Sequence, residues 1–403
     1  MKILFMSNLF PKETEKAVRA KMKFDMYDAA NVLQWNLIDG IEQNNGGELS
    51  VVNLLPVDSW PQYYTSPFVP RYEFAHKEGA TDVNTAFCNV KYIKAPCMNR
   101  SYKKEIKKWE KKTRGNDERV VILYSLKSAF LKAVTKLKKI NASIKVVAVV
   151  ADLPEFTVNQ ANPLRRWYAK HVSKELSNHI KDIDGFVLLT EHMATKMGIN
   201  KPYMVMEGIV PRRQLIEKTV QNESVKTVLY TGSMNGKYGI LSLLEAFSMI
   251  QNPNYRLILC GLGNAESEVH KACQNDSRIQ YLGKVSHEKV MELQSSATVV
   301  INPRQNNEEF TKYSFPSKTM EYLACGVPLI AYKLDGIPDE YDEYINYVPD
   351  NSPLTLARII QDVCELSSEE RAIMGQKAQR FVLEEKNNVK QTKRILNFIK
   401  GDL

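Results

Sequence analysis

The chain has 403 residues, of which 44% are hydrophobic and 25% are charged, and its formal net charge is +9. This length predicts two domains with large cores and excludes a small domain that depends on disulfides or metals. Lys and Arg outnumber Asp and Glu by 32 to 22 in residues 1–209, which suggests an anionic partner such as membrane headgroups, a pyrophosphate lipid or nucleic acid.

The first half shows short apolar strands alternating with amphipathic helices, a pattern that indicates an α/β fold with parallel sheets. The predicted strands are Lys2–Met6, Leu49–Leu54, Val90–Ile93, Val120–Tyr124, Lys145–Val150, Gly185–Leu189 and Tyr203–Met206. A helix is predicted over Ala30–Gln43 because its apolar residues recur at helical spacing. The stretch Trp60–Thr85, rich in proline and aromatic residues, is predicted to be irregular.

The periodic pattern breaks at the polar stretch near Val210–Val225 and then restarts. The predicted strands of the second half are Thr227–Thr231, Tyr255–Leu259, Ile279–Tyr281, Thr298–Ile301, Pro328–Ala331 and Tyr344–Val348. A helix is predicted over Ile240–Met249. Both halves have the size and rhythm of a Rossmann-like domain, so the sequence predicts one domain over residues 1–209 and a second over 210–387.

Cysteine usage and the apolar runs bear on the compartment. The six cysteines form no C-x-x-C pair, and Cys260 and Cys325 adjoin apolar runs, so buried free thiols are expected. Met1–Met6 is not followed by a long apolar region, and no run approaches the roughly 20 residues that span a bilayer. These features predict a cytoplasmic protein.

A glycine-containing loop follows the first strand of the second half, in the run Tyr230–Ile240. Gly232 and Ser233 begin the loop, and Lys237 precedes the helix. Backbone N–H groups, a helix N-terminus and a lysine together favour a phosphate cradle. A plain strand-to-helix turn is an equally good interpretation. A second turn, Cys260–Gly263, also follows a strand, although two glycines alone indicate little more than a tight turn.

A third group of polar residues follows the strand Thr298–Ile301. Arg304 comes first, and Pro316 and Ser317 then start a helix whose first turn holds Lys318. A cation there opposes the helix dipole, so a bound anion would explain it better than local stability. Glu321 lies one turn further on, where its carboxylate could accept hydrogen bonds from ribose hydroxyls. A surface salt bridge between Lys318 and Glu321 is the alternative.

The run Phe315–Pro338 resembles the donor-site motif of retaining glycosyltransferases of the GT-B fold, the family 4 group. That motif is a glutamate-bearing helix, A-x-G-x-P, a strand, and a G-[GI]-P turn before an acidic residue. Here it corresponds to Glu321, Ala324–Pro328, Gly336–Pro338 and Asp339. The resemblance covers residues 225–348 well and the first half only in rhythm. It implies two Rossmann-like domains with parallel sheets facing a central cleft, and a final helix, residues 388–403, that crosses back to the first domain.

The resemblance also implies roles for single residues. Glu321 would bind the donor ribose, and Lys237 would face the diphosphate. The remaining donor-binding candidates are Gly232, Ser233, Gly261, Gly263, Arg304, Ser317, Lys318 and Thr319. The family's first glutamate is replaced by Tyr313, so Glu308 or Glu309 is a candidate for the donor sugar, and Glu309 is taken as the catalytic candidate. An arginine usual after the first loop glycine is replaced by Ser233, and Arg304 is the candidate substitute.

Four polar residues of the first half are candidates for the cleft. Asp152 and Glu155 follow a predicted strand, and either could contact the donor sugar or orient the acceptor hydroxyl. Asn8 and Gln34 are candidates for acceptor binding, whereas Trp35 is expected in the core. The catalytic candidates are therefore Lys237, Asp152 and Glu309. Histidine and carboxylate spacing predicts no metal site.

A lysine-rich stretch, Tyr102–Lys112, has two rows of lysines at helical spacing and Tyr102, Ile106 and Trp109 on the other side. Such a helix can lie on an anionic membrane surface, or it can be a solvated face packed through its apolar side. Nucleic-acid binding is disfavoured because no recognition motif accompanies the charge.

Together these features predict a glycosyltransferase that moves a hexose-type sugar from an NDP-sugar, with UDP-sugars favoured, to a saccharide or lipid-linked saccharide acceptor. The resemblance implies retention of configuration, in polysaccharide or glycan biosynthesis. No separate cofactor is expected. Two alternatives remain: a sugar-nucleotide 2-epimerase, and a non-catalytic nucleotide-sugar-binding subunit of an assembly complex.

Overall fold

A computed structural model describes residues 1–23, 28–115, 118–153, 178–212, 224–401 and 403. The chain divides into two compact units. Unit 1 comprises residues 1–209 and 388–403, and unit 2 comprises residues 210–387.

Unit 1 is built on an eight-stranded sheet with the spatial order β10-β9-β8-β7-β1-β2-β5-β4. All neighbouring strands are parallel except β4 and β5. The strands are β1 (Lys2–Ser7), β2 (Leu49–Asn53), β4 (Tyr72–Phe74), β5 (Asp82–Asn84), β7 (Arg119–Tyr124), β8 (Lys145–Val150), β9 (Gly185–Leu188) and β10 (Tyr203–Val205). The short strands β3 (Phe68–Val69) and β6 (Phe87–Cys88) form a separate antiparallel pair. The central strand β7 is buried throughout and β8 is buried after Lys145, as expected for a sheet covered on both faces.

Six described helices pack in unit 1. They are α1 (Glu15–Arg19), α2 (Asp28–Asn44), α3 (Lys94–Thr113), α4 (Ser128–Ile140), α5 (Glu191–Met197) and α12 (Asn388–Gly401). The last helix packs against α2 so closely that a Cβ at Gly40 would lie 2.3 Å from the Asn388 carbonyl oxygen. The Asn44 side chain also donates to the Val389 carbonyl at 2.7 Å. The final helix is therefore part of unit 1.

Unit 2 contains a six-stranded parallel sheet with the order β13-β12-β11-β14-β15-β16. Its strands are β11 (Lys226–Thr231), β12 (Tyr255–Cys260), β13 (Ile279–Tyr281), β14 (Val299–Asn302), β15 (Leu329–Tyr332) and β16 (Ile345–Val348). Its described α-helices are α6 (Ile240–Met249), α7 (Glu266–Asn275), α8 (His287–Ser296), α9 (Ser317–Leu323), α10 (Pro353–Glu365) and α11 (Ser368–Glu385). Numbered within the unit, the strand order is 3-2-1-4-5-6, the doubly wound Rossmann arrangement. The predicted α/β class with parallel sheets is confirmed.

Two predictions for the first half were wrong. Val90–Ile93 is not a strand, because the chain turns there into α3, and Tyr92 adopts a left-handed φ of 74°. The stretch Trp60–Thr85 is not wholly irregular, since β5 joins the main sheet beside β2. The Asp82 carboxylate fixes that contact by accepting the Val51 N–H at 2.8 Å.

Other expectations were met. Cys260 and Cys325 are buried free thiols, and Trp35 is in the core. Within the described ranges, no helix combines the length and apolar character that crossing a membrane requires.

Candidate functional site

The order in which strands are added to the sheet of unit 2 reverses between β11 and β14. From β11 the chain builds outward through β12 and β13, and it then returns to add β14, β15 and β16 on the other side. In an open parallel sheet, ligands bind at such a point, outside the carboxyl ends of the strands. The loops that follow β11 and β14 carry Lys237 and Arg304, so both predicted cations lie on loops at this crossover.

Three glycines hold the neighbouring loops in contact through their backbones. A Cβ at Gly261 would lie 1.7 Å from the Gly232 carbonyl oxygen, and one at Gly239 would lie 1.9 Å from that of Pro303. A Cβ at Gly263 would lie 2.2 Å from the Met234 carbonyl oxygen. Close loop packing therefore accounts for Gly261 and Gly263 without a ligand.

Most N–H groups of the loop after β11 are already used within the protein. Gly232 donates to the Cys260 carbonyl at 2.9 Å, and Gly236 donates to the Asn264 side chain at 3.1 Å. The Lys237 N–H bonds the Asn235 side chain at 3.2 Å. This folded loop presents the side chains of Ser233 and Lys237 to solvent and offers few backbone donors to an anion.

Lys237 and Arg304 are brought together around two aromatic rings. The Lys237 ammonium lies 5.5 Å from the Phe310 ring centre and 5.1 Å from that of Tyr238. The Arg304 guanidinium lies 4.3 Å from the Phe310 ring centre and 5.7 Å from that of Tyr238. Such cation–ring contacts orient a positive group without neutralising it. In the described part of the chain, no carboxylate forms an ion pair with either residue.

Arg304 is an unusual buried cation. Only 8% of its surface is exposed, and its single hydrogen bond in the described structure runs from Nη2 to the Ser314 hydroxyl at 2.9 Å. Its Nε is buried without an acceptor. Desolvation lowers the pKa of Arg304, partly offset by Tyr238 and Tyr230. A buried charge without a counterion is costly, so an anionic ligand would complete this site.

The carboxylate of Glu321 faces Lys318 and Gln294. Lys318 Nζ lies 2.9 and 2.8 Å from the two Glu321 oxygens, so the predicted alternative, a salt bridge, is present. Gln294 donates to Glu321 at 2.7 Å and to the Thr231 hydroxyl at 2.9 Å. Glu321 keeps 27% of its side-chain surface exposed. The carboxylate is therefore held in place, next to the end of β11, and is still accessible.

Tyr322 fixes the helix that carries Glu321. Its hydroxyl accepts the Thr231 N–H at 2.8 Å and donates to the Thr231 carbonyl at 3.0 Å. Gln294 and Tyr322 are supporting residues that sequence reasoning missed. Gln294 lies in a polar helix segment with no motif, whereas Tyr322 could have been noticed from its place beside Glu321.

The other predicted donor residues have different surroundings. Ser317 is exposed at the start of α9, which spans only Ser317–Leu323. Thr319 is fully buried, and its N–H donates to the Pro316 carbonyl at 2.9 Å, so Thr319 does not present a free group to a phosphate. Glu309 is exposed and accepts from the Tyr313 hydroxyl at 3.4 Å. The replacement tyrosine thus contacts the acidic residue that was predicted to stand in for the family's glutamate.

Unit 1 has a similar crossover between β1 and β7. Asn8 follows β1, and its side chain donates to the Leu54 carbonyl at 2.6 Å. Gln34 is fully buried and both accepts the Asn8 N–H at 2.7 Å and donates to the Asn8 carbonyl at 2.8 Å. Gln34 therefore positions Asn8, and its burial leaves no group for an acceptor.

The loop after β7 holds residues that sequence reasoning missed. Ser125 has a left-handed φ of 67°, and its buried hydroxyl lacks a partner in the described structure. Nearby, desolvation lowers the pKa of Lys94 to about 8. The negative charge of Asp58 acts to raise that pKa, and the positive charge of Lys127 lowers it slightly. Desolvation also lowers the pKa of Lys127. The rule that ligands bind where strand order reverses could have identified Ser125 and Lys127 once β7 was predicted.

The remaining candidates of unit 1 follow β8. Asp152 is exposed at the end of that strand, and desolvation by surrounding protein raises its pKa. Glu155 lies outside the described residues. No group of three His, Cys, Asp or Glu side chains that could hold a metal occurs among the residues that the structure describes.

Comparison with known proteins identifies the architecture. The family model of glycosyl transferases group 1 matches residues 211–381, which lie in unit 2. A search of curated proteins gives no match.

Solved structures match over the whole chain. Sucrose-phosphate synthase from Thermosynechococcus elongatus is 13% identical, with a TM-score of 0.67 and coverage of 99% of both chains. Anabaena HepE in complex with UDP is 14% identical, with a TM-score of 0.65 and coverage of 99% of this chain and 100% of the other. The lipopolysaccharide outer core galactosyltransferase WaaB is 14% identical, with a TM-score of 0.64 and full coverage of both chains. Because the identity is so low, these similarities establish only the fold, which is GT-B.

Proposed function

We propose that this GT-B glycosyltransferase moves a hexose-type sugar from a UDP-sugar to a saccharide or lipid-linked saccharide, with retention of configuration, in polysaccharide or glycan biosynthesis. The observation that carries the donor assignment is the pair Lys237 and Arg304. Both cations lie around the Phe310 ring at the strand crossover of unit 2 and lack a carboxylate partner among the described residues. HepE was solved with UDP, which supports the choice of nucleotide.

The chemistry follows from charge. When the bond between the sugar and the diphosphate breaks, negative charge develops on the departing oxygen. Fixed cations in a poorly solvated site stabilise that charge without reorganising. Arg304, which is buried, supplies such a charge, and the exposed Lys237 adds a second cation near it. Glu321 would accept hydrogen bonds from the ribose hydroxyls and exchange its salt bridge with Lys318 for the ligand.

The acceptor site we propose lies at the crossover of unit 1, beside Asn8 and Ser125. The desolvated amine of Lys94, with the exposed Lys127 near it, favours an anionic acceptor, such as a phosphate- or diphosphate-linked saccharide, because an anion would offset the cost of desolvating the Lys94 charge. Asp152 would orient the acceptor hydroxyl. The lysines of α3 would hold the enzyme at the anionic, cytoplasmic face of the plasma membrane.

The test is a donor panel of UDP-, GDP- and dTDP-sugars, assayed with and without membrane extract. Transfer of the sugar from a UDP-sugar, with strong loss in Glu321→Ala and Arg304→Met, supports the proposal. Rapid interconversion of the sugar without any acceptor would instead identify a 2-epimerase. Tight donor binding without turnover under any condition would identify a binding subunit.

A further inference from the structure

Helix α3 presents two different surfaces. Its inner side is buried through Tyr102, Ile106 and Trp109, and its two glutamates, Glu105 and Glu110, are also buried. Both are paired with cations: Lys108 lies 2.8 Å from Glu105, and Arg114 lies 3.2 Å from Glu110. The acidic groups of the helix are therefore neutralised on its inner side, and the outer side carries only positive charge.

The outer side has a continuous basic row. Arg100, Lys104, Lys107 and Lys111 are all exposed, and their spacing of four, three and four residues places them along one line of the helix. We call these four residues the lysine stripe. None of them forms an ion pair in the part of the chain that the structure describes. Extended toward the N-terminus, the same line reaches Pro96 and Ile93.

Exposed apolar side chains lie at that end of the helix. Tyr92 is 85% exposed, Phe68 is 52% exposed, Ile93 is 50% exposed and Trp60 is 37% exposed. Backbone pairing places Phe68 beside Cys88 and Trp60 beside Val90, two to five residues before Tyr92 and Ile93. We call Trp60, Phe68, Tyr92 and Ile93 the aromatic tip.

The conformation of Tyr92 is a second unusual feature. A non-glycine residue with a φ of 74° is strained, and the contact that the structure shows for the Tyr92 ring is with Lys91, whose ammonium lies 5.2 Å from the ring centre. Tyr92 is almost fully solvated, so packing does not repay that strain. Large apolar side chains in an exposed cluster usually mark a surface that another phase or molecule covers.

We propose that the aromatic tip and the lysine stripe form one membrane-docking surface, in which the tip inserts into the interface of an anionic phospholipid bilayer while the stripe lies along its headgroups. This rests on the proposed function in placing the acceptor and the lysines of α3 at a membrane. Charge indicates the occupant: four cations next to the tip, without an ion pair among the described residues, match anionic headgroups. Tyrosine and tryptophan are also the residues that favour the interfacial layer.

Lys94 connects this surface to the acceptor site. It begins α3 immediately after the tip, and its ammonium donates to the Val57 carbonyl. A lipid-linked acceptor anchored in the bilayer would therefore carry its anionic group close to the desolvated lysine.

The experiment measures sedimentation of the full chain with vesicles of phosphatidylcholine alone, or with about one-third phosphatidylglycerol. Tyr92→Ser/Ile93→Ser should weaken binding to the anionic vesicles about tenfold. Lys104→Gln/Lys107→Gln/Lys111→Gln should weaken it on the order of 100-fold, and added salt should remove the difference. The apolar control is Leu354→Ser/Ile373→Ser, and the charge control is Lys271→Gln/Lys393→Gln/Lys400→Gln.

Insertion of the tip has its own readout. In Tyr92→Trp, brominated anionic lipids should quench fluorescence more than in the wild-type chain, and the matched Leu354→Trp should show no such increase. Equal vesicle binding by wild type and both surface variants would overturn the proposal. So would binding of RNA, but not vesicles, by the lysine stripe. Donor hydrolysis measured without vesicles should be unchanged in all these variants, so its loss would count against the proposed function instead.

Discussion

The two crossovers are built on the same plan but are held in different ways. In unit 2, the loops lock together through backbone contacts at Gly239, Gly261 and Gly263. In unit 1, side chains do this work: Gln34 bonds the backbone of Asn8, and Asn53 accepts the Leu9 N–H at 2.9 Å. A backbone lock leaves the loop side chains free for a ligand, whereas a side-chain lock uses them. Arg304 has no ion-pair partner among the described residues and is therefore a stronger indication of a ligand than the polar groups around Asn8.

Gly261→Ala should break the backbone lock and give the largest effect. The added Cβ would collide with the Gly232 carbonyl oxygen, and the backbone φ of 136° is unfavourable for alanine. We expect the free energy of unfolding of unit 2 to fall by about 4 kcal/mol. Hydrogen exchange of β11 and β12 peptides measures this. Gly236→Ala is the matched control, because a Cβ there meets nothing within 4 Å. Equal protection in both variants would contradict the lock.

Arg304→Met should separate function from stability. Removing the buried cation should lower kcat/KM for the donor by about 10²- to 10³-fold. Thermal stability should stay the same or rise, because a buried charge without a counterion is lost. Donor kinetics and thermal unfolding of the same preparations test this, with the exposed Arg256→Met as the control. A large fall in stability with normal kinetics would show that Arg304 is structural.

Gln34→Ala should have the opposite profile. The Asn8 N–H and carbonyl would lose their buried hydrogen-bond partners. The free energy of unfolding of unit 1 should therefore fall by about 2 kcal/mol. All four tryptophans lie in residues 1–209, so their fluorescence reports this transition. Donor hydrolysis per folded molecule should not change. Gln376→Ala, at an exposed helix position, is the control. If Gln34→Ala were stable but had a raised acceptor KM, Gln34 would be a binding residue after all.

Lys94 should give the smallest effect, seen as a pH dependence. Desolvation lowers its pKa to about 8, so the amine is charged below that pH and neutral above it. For an anionic acceptor, KM should rise about tenfold between pH 7 and pH 9. Lys94→Arg keeps its charge and should flatten that profile. A profile that is the same in both proteins would show that another group titrates.

The sequence predicted the strands of unit 2 closely, because each is a short apolar run followed by a turn. It also predicted the helix that carries Glu321 and the loop after β11 that carries Lys237, because both follow from a local motif. It did not predict that Gln294, a residue of a polar helix, would hold Glu321. Such a contact depends on how distant elements meet, and no local pattern records it.

The glycines show a different limit of sequence reasoning. A glycine next to a strand end is compatible with a ligand and with a close backbone contact, and the sequence cannot distinguish them. Gly261 and Gly263 have such contacts, whereas Gly236 does not. The short strand β5, Asp82–Asn84, was missed because two of its three side chains are polar and therefore give no apolar run. Both are buried in the structure, where hydrogen bonds satisfy them.

The final helix has a consequence for the order of folding. Residues 388–401 complete unit 1, although the whole of unit 2 precedes them in the chain. During synthesis, unit 2 can therefore reach its native state first, while the face of α2 around Gly40 is not yet covered by α12. A nascent chain that stops before Asn388 should expose that face of α2 to chaperones and proteases. Pulse proteolysis of stalled chains would show protection of residues 210–387 before that of residues 1–209.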